Sequence, residues 1–227
     1  MWQLALYRLL AKRRAQSRKQ DIHPWLLDAW QQAPNKGKQS WLDTGFLVVD
    51  LETSSLSVSD GEILSIGWVA IDYGKIQLNS AKHLLLKNAH SVGHSATIHH
   101  LRDCQLETGA TVEKALLSLL QAAIGRVLVF HHSPMDMQFL NYHSQKQLGA
   151  KLYLPVVDTL QLEKKHLDHI GYPIKAGDLT LANIRKRYGL PAYPAHNALT
   201  DALATAELLL AQVAHKGGEC SMKSLRQ

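Results

Sequence analysis

The sequence contains little cysteine, and none of it lies in a pattern that carries chemistry. Cys104 and Cys220 are the only cysteines in 227 residues, and no Cys-x-x-Cys pair occurs. This usage argues against a disulfide framework and a thiolate zinc site, and it indicates a reducing compartment, which we expect to be the cytoplasm. A Gly-x-Gly-x-x-Gly fingerprint and a Walker loop are also missing, so neither a dinucleotide-binding nor a P-loop fold has support.

Long apolar segments are missing as well. No stretch approaches the roughly 20 apolar residues of a membrane-spanning helix, so we expect no membrane span. The N-terminus is apolar over 1–10 and basic over 12–19, which is the reverse of a secretory signal. Because the segment is rich in arginine and poor in acids, an organellar transit peptide is an alternative interpretation.

The formal net charge of +6 arises in the N-terminal part of the chain. Residues 1–42 hold eight Lys or Arg and two acids, whereas 43–227 hold 17 of each sign. A basic arm on a neutral body suggests contact with a polyanion, either nucleic acid or a membrane surface. The alternative is a solvated helix that contributes only to solubility.

Composition and turn signals divide the chain into a basic helical N-terminal extension with its linker (1–42), a globular domain (43–216) and a short C-terminal tail (217–227). The linker is the Pro-, Gly- and Lys-rich segment 33–40. Residues 2–18 predict an amphipathic helix. Its expected apolar stripe consists of Trp2, Leu4, Leu6, Leu9 and Leu10.

Hydrophobic patterning within 43–216 predicts an α/β fold. Tyr73-Gly74 predicts a tight turn, so the second and third strands form a hairpin. A strand meander followed by alternating helices and strands gives a mixed sheet with helices on its faces. Strands are expected at 45–51, 62–72, 75–87, 126–131 and 156–157. Helices are expected at 111–123, 133–149, 179–188 and 197–214, and another after Asp158, with Thr111, Ser133, Asp158 and Asn197 as N-caps.

Two carboxylates end the first of these strands. Asp50 and Glu52 follow the apolar run 46–49, and both side chains project to the same face because they are two residues apart. Unpaired charges at the rim of a core are costly, so a metal ion is the partner that we expect. The alternative is an exposed strand end with two solvated acids.

Two further acids begin helices. Asp136 lies in the first turn of its helix, where the helix dipole alone explains an acid. Asp201 shares one face of its helix with Ala198, Thr205 and Leu208, which predicts a buried face turned toward the same site. His196 lies just before that helix, in a segment with two prolines, and is expected to reach the same centre.

Four carboxylates and one histidine form a chemically complete set for metal-assisted phosphodiester hydrolysis. Carboxylate oxygens favour Mg²⁺ or Mn²⁺ over zinc, and two such ions can clamp the attacking and leaving oxygens of a phosphodiester. Attack by water also requires a base that titrates near neutral pH, which is what a histidine provides.

The order of these motifs resembles the DEDDh branch of the DnaQ-like 3′–5′ exonucleases, a group that includes the proofreading epsilon subunit of the bacterial replicative polymerase. Asp50-Leu-Glu52-Thr, His131-x-x-x-x-Asp136 before Phe-Leu, and His196-x-x-x-x-Asp201-Ala carry the resemblance, which covers about 45–214. It implies a ribonuclease-H-like fold with a five-stranded mixed sheet flanked by helices.

The resemblance also implies a role for each site residue. Asp50 would bridge two metal ions, Glu52 and Asp201 would complete one, and Asp136 would support the other. His196 would activate the attacking water. The 3′-terminal nucleotide would be held by the backbone at Thr53 and by Leu56 nearby.

The sequence departs from the family pattern at positions near the substrate. The family usually has Asn where His132 stands, Thr-Gly-Leu where 54–56 reads Ser-Ser-Leu, and His-Gly where His99-His100 occurs. These departures remove no metal ligand, but they put the contacts to the terminal nucleotide in doubt. The chain also ends soon after the last helix, so we expect a stand-alone or differently tethered enzyme.

We therefore expect a metal-dependent 3′–5′ exonuclease that releases nucleoside 5′-monophosphates from single-stranded or frayed DNA. The alternatives are an RNA-trimming exoribonuclease of the oligoribonuclease or ribonuclease T type, and a non-catalytic nucleic-acid-binding module. In the N-terminal arm, Gln3-Leu-Ala-Leu-Tyr7 resembles the short peptides that dock on the sliding clamp, so a clamp or polymerase is a candidate partner. The alternative for this segment is a helix that packs on the body or lies on nucleic acid.

Overall fold

A computed structural model describes residues 2–17, 21–34, 39–87, 109–194, 196–217 and 221–225, with the backbone alone at Trp2. Five strands form one mixed sheet in the order β3-β2-β1-β4-β5. β1 pairs antiparallel with β2, as β2 does with β3, whereas β1, β4 and β5 run parallel. The strands are β1 Gly45–Thr53, β2 Ile63–Asp72, β3 Lys75–Leu85, β4 Arg126–Phe130 and β5 Val156–Asp158.

Helices cover both faces of this sheet. The predicted fold class, a five-stranded mixed sheet flanked by helices, is confirmed. The helices are α1 Trp2–Ser17, α2 Pro24–Gln32, α3 Val112–Ala123, α4 Ser133–Gln147, α5 Thr159–His169, α6 Leu181–Arg187, α7 Ala198–His215 and α8 Met222–Leu225.

Side-chain alternation along β1 separates two hydrophobic cores. Leu47, Val49 and Leu51 pack into the core that also receives α2, α3 and α4. Phe46 and Val48 pack into the opposite core, with α5, α7 and α8. Because alternate residues of a strand face the same side, the strand's two carboxylates continue the Phe46–Val48 row toward α7.

The predicted hairpin is confirmed. Asp72 pairs with Lys75 across a two-residue turn, and both Tyr73 and Gly74 adopt left-handed backbone angles, with φ of 53° and 70°. Such a turn twists in the same sense as the strands that it joins, so it stabilises the β2–β3 register.

Two helices pack on the body without having been predicted. α2 buries Leu26, Ala29 and Trp30 in the α3–α4 core. α8 buries Met222 and Leu225 in the α7 core. The proposed division at 42 and 217 stays a prediction, although segments on either side of 43–216 contribute to the cores.

Helix α1 is confirmed, but its expected apolar stripe is wrong. Leu6, Leu9 and Leu10 are exposed. The face that packs contains Ala15, and the Arg8 guanidinium donates to the carbonyl oxygens of Tyr153 (2.9 Å) and Trp30 (2.8 Å). Polar bonds to the body therefore orient this helix; Leu4 is half-buried, and the other three leucines point outward. The side chain of Trp2, the fifth stripe member, lies outside the described residues.

The predicted N-cap of α4 is also wrong. Ser133 is the first helical residue, and His132 occupies the cap position with a left-handed φ of 70°. Asp158 explains the difference, because its carboxylate accepts from the backbone N–H groups of His132 and Ser133 (3.0 and 2.8 Å) and from the Ser133 hydroxyl (3.0 Å). An acid from β5 thus replaces the local cap. The predicted N-caps Thr111, Asp158 and Asn197 are confirmed.

Candidate active site

The site forms where β1 extends beyond its parallel neighbour. Pairing of β1 with β4 ends at Val48, so the following residues of β1 lack a strand on that side. Asp136, in the first turn of α4, reaches this gap, and its Oδ1 accepts from the backbone N–H of Leu51 at 3.2 Å. The carboxylate of Asp136 therefore lies next to the strand that carries Asp50 and Glu52.

Helix α7 brings Asp201 to the same edge through a close approach to β2. Gly67 pairs directly with Asp50 across the antiparallel strands. A Cβ built on Gly67 would lie 2.2 Å from the backbone carbon of Ala198, which is the first residue of α7. Only glycine permits this distance, so Gly67 sets how near the helix comes. Gly67 was not among the residues predicted from the sequence, although a lone glycine within an apolar strand is a recognised signal of close backbone approach.

The predicted acids converge. Oxygen atoms of Asp50, Glu52 and Asp201 all lie within 4.8 Å of one another. Glu52 is buried, and the other two are half-buried. Asp136 is buried and contributes to the same electrostatic cluster as Asp50. Three segments separated by more than 60 residues thus present four carboxylates to one place.

Burial and mutual repulsion raise the pKa values of these acids. Burial, followed by the charges of Asp136, Asp201 and Glu52, raises the pKa of Asp50 well above its ordinary value. Burial and Asp201 raise the pKa of Glu52 to about 7. Burial raises the pKa of Asp136 to about 8, against the opposing effect of the Leu51 hydrogen bond. Burial also raises the pKa of Asp201.

The charge of the cluster calls for a cation. In the described part of the chain, no lysine or arginine lies within ion-pairing distance (4 Å) of Asp50 or Asp136. Carboxylates this close repel one another unless they are protonated or share a positive ion. An oxygen-only donor set suits Mg²⁺ or Mn²⁺, so these residues fit the divalent ions expected from the sequence.

His196 lies at the rim of the cluster. It is exposed and has a left-handed φ of 69°, and its backbone N–H donates to Oδ2 of Asp201 at 2.9 Å. Asn197, the next residue, is the N-cap of α7: its side-chain oxygen accepts from the backbone N–H of Thr200 at 3.1 Å. His196 is thus fixed to the acid cluster through its backbone.

The two residues expected to hold a terminal nucleotide differ sharply in exposure. Thr53 is buried at the end of β1, and its hydroxyl donates to the carbonyl oxygen of Ser55 at 2.8 Å. Leu56 is 80% exposed, in the loop that follows. An apolar side chain this exposed, four residues after Glu52, is available to pack against a flat, apolar ligand surface. His99 and His100, the other departures from the family pattern, lie outside the described residues.

Two polar residues near the acids, His131 and Asp158, have their side chains held by hydrogen bonds within the protein. The ring of His131 bonds to the Thr159 hydroxyl (2.9 Å) and the Leu179 carbonyl (3.0 Å). Asp158 is buried among the N–H groups of α4 and α5. Both side chains therefore fix the loops behind the site.

Comparison with protein families shows to which family the chain belongs. A family model described as "Exonuclease" (RNase_T) matches residues 47–209, which covers β1 through most of α7. This chain belongs to that exonuclease family. The resemblance to DEDDh exonucleases drawn from the sequence is confirmed.

Relatives within the family include bacterial polymerase components. A PolC-type DNA polymerase III of Thermotoga maritima is 30% identical over 169 residues, which are 74% of this chain but 12% of that protein. The DNA polymerase III subunit epsilon of Aquifex aeolicus is 24% identical over 77% of this chain and 83% of that protein. The chain thus spans about an eighth of the PolC-type relatives that it matches.

Solved exonuclease structures share the fold. The nuclease domain of 3′hExo, a DEDDh family member bound to rAMP, superimposes with a TM-score of 0.63 at 12% identity, covering 79% of this chain and 96% of that domain. Escherichia coli exonuclease I in complex with a dA16 oligonucleotide gives a TM-score of 0.59 at 13% identity, covering 75% of this chain and 41% of that chain. At these identities the likeness establishes the architecture alone.

Proposed function

We propose that this exonuclease-family chain removes nucleotides from the 3′ end of single-stranded or frayed DNA, in a reaction that requires Mg²⁺ or Mn²⁺. The convergence of Asp50, Glu52, Asp136 and Asp201 at one sheet edge carries this proposal. The products are a nucleoside 5′-monophosphate and a strand one residue shorter.

Each side chain has a defined part in this reaction. The four carboxylates would hold two divalent ions, which would supply stabilisation of the charge on the attacking and leaving oxygens. A ring nitrogen of His196 takes the proton of the attacking water, whose oxygen joins the phosphorus. The P–O3′ bond breaks, and the 3′ oxygen of the shortened strand takes a proton from solvent. The backbone at Thr53 and the exposed side chain of Leu56 hold the terminal nucleotide.

The polarity of digestion and the requirement for metal are testable in one assay. Single-stranded DNA labelled at its 5′ end is expected to shorten stepwise with Mn²⁺ or Mg²⁺ and to stay intact in EDTA. Label at the 3′ end is expected to appear as mononucleotide from the first turnover. Digestion that persists in EDTA would contradict the metal requirement, and release of the 5′ label as mononucleotide from the first turnover would contradict the polarity.

His196→Ala tests the base. Loss of a general base is expected to lower kcat by a factor of roughly 10²–10⁴ with little change in metal binding. His169→Ala, at an exposed histidine on the last turn of α5, is the matched control and should retain full activity. Equal turnover of His196→Ala and the wild type would remove His196 from this role.

RNA is the second candidate substrate. A DEDDh relative with this fold has been observed with the ribonucleotide rAMP, whereas exonuclease I has been observed with DNA. Matched DNA and RNA oligomers of one sequence, degraded in parallel, separate the two. We expect the larger kcat/KM on DNA because the curated relatives are DNA polymerase components.

A replication partner is also proposed for the N-terminal arm. Leu6 and Tyr7 of the clamp-like segment 3–7 are exposed, although the Tyr7 ring also stacks on Tyr153 with centroids 5.7 Å apart. A peptide of residues 1–20 that fails to bind sliding clamp at high micromolar concentration would exclude the clamp, leaving a helix that packs on the body or lies on nucleic acid as the role of α1.

The expectation of a cytoplasmic location stays a prediction. In the described residues, the structure contains no helix with the length and apolarity to cross a membrane.

A further inference from the structure

The segment that carries His196 has little apolar support. Residues 191–194 and His196 are exposed, and the loop lies over a cavity of about 290 Å³ bounded by α6, the loop itself and the first turns of α7. Loops with few buried contacts sample several conformations unless polar contacts hold them. Whatever fixes this loop therefore also fixes the residue proposed as the base.

A buried arginine crosses from α6 to the loop and to α7. Arg185 is 3% exposed, and its guanidinium donates to the carbonyl oxygen of Pro191 at 2.8 Å. It also donates to the carbonyl oxygen of Ala204 at 2.5 Å and to Oε2 of Glu207 at 2.8 Å, both on α7. One rigid side chain thus ties the loop to the helix that carries Asp201.

Tyr193 makes a second connection between the same elements. Its hydroxyl donates to Oε1 of Glu207 at 2.8 Å, so the two oxygens of Glu207 bind Tyr193 and Arg185. The Tyr193 ring lies over the Arg185 guanidinium, 4.7 Å from its centroid, in a cation–π contact. Arg185, Glu207 and Tyr193 thus each contact the other two, and Tyr193 lies three residues before His196.

We infer that Arg185, Glu207 and Tyr193 are positioning residues that hold the 190–194 loop on α7 so that His196 meets the acid cluster in its working geometry. The inference rests on the proposed role of His196 as the base. The strained backbone of His196 agrees with it, because a left-handed non-glycine residue persists only where its surroundings hold it. Misplacement of a catalytic group by about 1 Å can cost 10²-fold in rate, so supporting contacts of this kind affect turnover.

The decisive variant is Tyr193→Ala, with a built-in control elsewhere in the chain. Tyr193 is 41% exposed and stacks on Arg185, while Tyr172 is 43% exposed and lies over Arg187 at 5.9 Å, away from the His196 loop. Tyr193→Ala is expected to lower kcat about 10-fold with KM nearly unchanged. Tyr172→Ala is expected to leave both values unchanged.

A double-mutant cycle separates positioning from direct substrate contact. If Tyr193 acts through His196, Tyr193→Ala will cost nothing further in a His196→Ala background. Two outcomes would overturn the inference by showing that Tyr193 contacts the nucleic acid itself. One is a double mutant whose loss of kcat is the product of the two single losses; the other is a rise in KM on Tyr193→Ala that is also present in the His196→Ala background. Tyr193→Phe, which keeps the ring and loses the bond to Glu207, should fall between wild type and Tyr193→Ala.

Hydrogen exchange gives a readout that does not depend on activity. Backbone amides of Leu190, Ala192, Tyr193, His196 and Asn197 are expected to exchange faster in Tyr193→Ala and in Glu207→Gln than in wild type or Tyr172→Ala, while α7 beyond residue 204 stays protected. Unchanged exchange together with unchanged kcat in Tyr193→Ala would overturn the inference alone. Full activity of His196→Ala would instead overturn the proposed base.

Discussion

Glu163 and the four acids of the candidate site have opposite surroundings. Glu163 on α5 is fully buried and accepts from the Arg187 guanidinium at 2.7 Å and from the Tyr188 hydroxyl at 2.8 Å. In the active-site cluster, Asp50 faces three other carboxylates, and its pKa rises because burial and their charges oppose ionisation. A buried acid with donors stabilises the fold, whereas a buried acid among acids is a cost that a bound cation offsets.

The same contrast agrees with the proposed catalytic role of the cluster. The bonds of Glu163 join α5 to α6 and, through Gln212 at 3.5 Å, to α7, so removing it loosens the structure. Removing one acid from the cluster relieves repulsion in the metal-free protein. Stability and activity should therefore respond in opposite ways to matched substitutions in the two groups.

The largest expected effect is the loss of activity in Asp50→Asn. Losing a ligand common to both proposed ions removes several kcal/mol of transition-state stabilisation, or about 10³-fold or more in kcat. The metal-free Tm at pH 8 should stay the same or rise, because a repelling charge is gone. Steady-state digestion and thermal unfolding in EDTA measure the two quantities.

Glu163→Gln provides the opposite case. We expect it to lower the unfolding free energy by about 2 kcal/mol, since hydrogen bonds to a buried charge are lost, while activity per folded molecule is retained. If Asp50→Asn destabilised the metal-free protein as much as Glu163→Gln does, the distinction between the two groups would be wrong.

The next effect concerns Gly67, which lets α7 approach the cluster. Gly67→Ala would place a methyl group against the backbone of Ala198, so the first turn of α7 and Asp201 must move. We expect at least a 10-fold loss of kcat, together with weaker metal binding. Ile66→Val, the neighbouring residue on the opposite face of β2, should cost only about 1 kcal/mol of stability and leave activity intact. Normal metal affinity in Gly67→Ala would show that α7 can approach without this glycine.

A smaller effect is the pH dependence of stability without metal. The folded-state pKa values of Glu52 (about 7) and Asp136 (about 8) exceed their ordinary values of 4.5 and 3.8. The folded protein therefore binds more protons than the unfolded chain below these values, and stability is lost as pH rises through them. Between pH 6.5 and 9 the two groups together should lower the unfolding free energy by about 3 kcal/mol, or Tm by roughly 6–12 °C.

This pH window avoids the buried histidines. Burial lowers the pKa values of His83, His131 and His143. The protein therefore loses stability through these residues only as pH falls below their ordinary pKa of 6.5. Asp136→Asn should flatten most of the slope between pH 6.5 and 9. A Tm that rises over this range in EDTA would contradict the electrostatic account of the cluster.

The acids that meet at the site could be predicted from the sequence because strand parity and helix starts are local signals. Asp50 and Glu52 share a face by their spacing, and Asp201 lies on the packed side of α7 as its small neighbours indicated. Helix α2 was missed even though Pro24 marks its first turn. The orientation of α1 could not be predicted, because hydrogen bonds from Arg8 to distant carbonyl groups outweigh its leucine pattern.

The roles of Gly67 and Arg185 could not be predicted from the sequence. Their importance depends on distances between β2 and α7, and between α6 and the 190–194 loop, which no local pattern encodes. Sequence alone could therefore name the chemistry of the site but not the contacts that set its spacing.

Calorimetric titration of Mn²⁺ into the nucleic-acid-free protein at pH 7, in two buffers of different ionisation enthalpy, tests the cation site most directly. We predict two bound ions in the wild type, with protons released because Glu52 and Asp136 are partly protonated at this pH. Asp50→Asn should bind weakly and release fewer protons. Equal Mn²⁺ binding by the wild type and Asp50→Asn, or no binding at millimolar Mn²⁺, would contradict the assignment of these four carboxylates as a metal site.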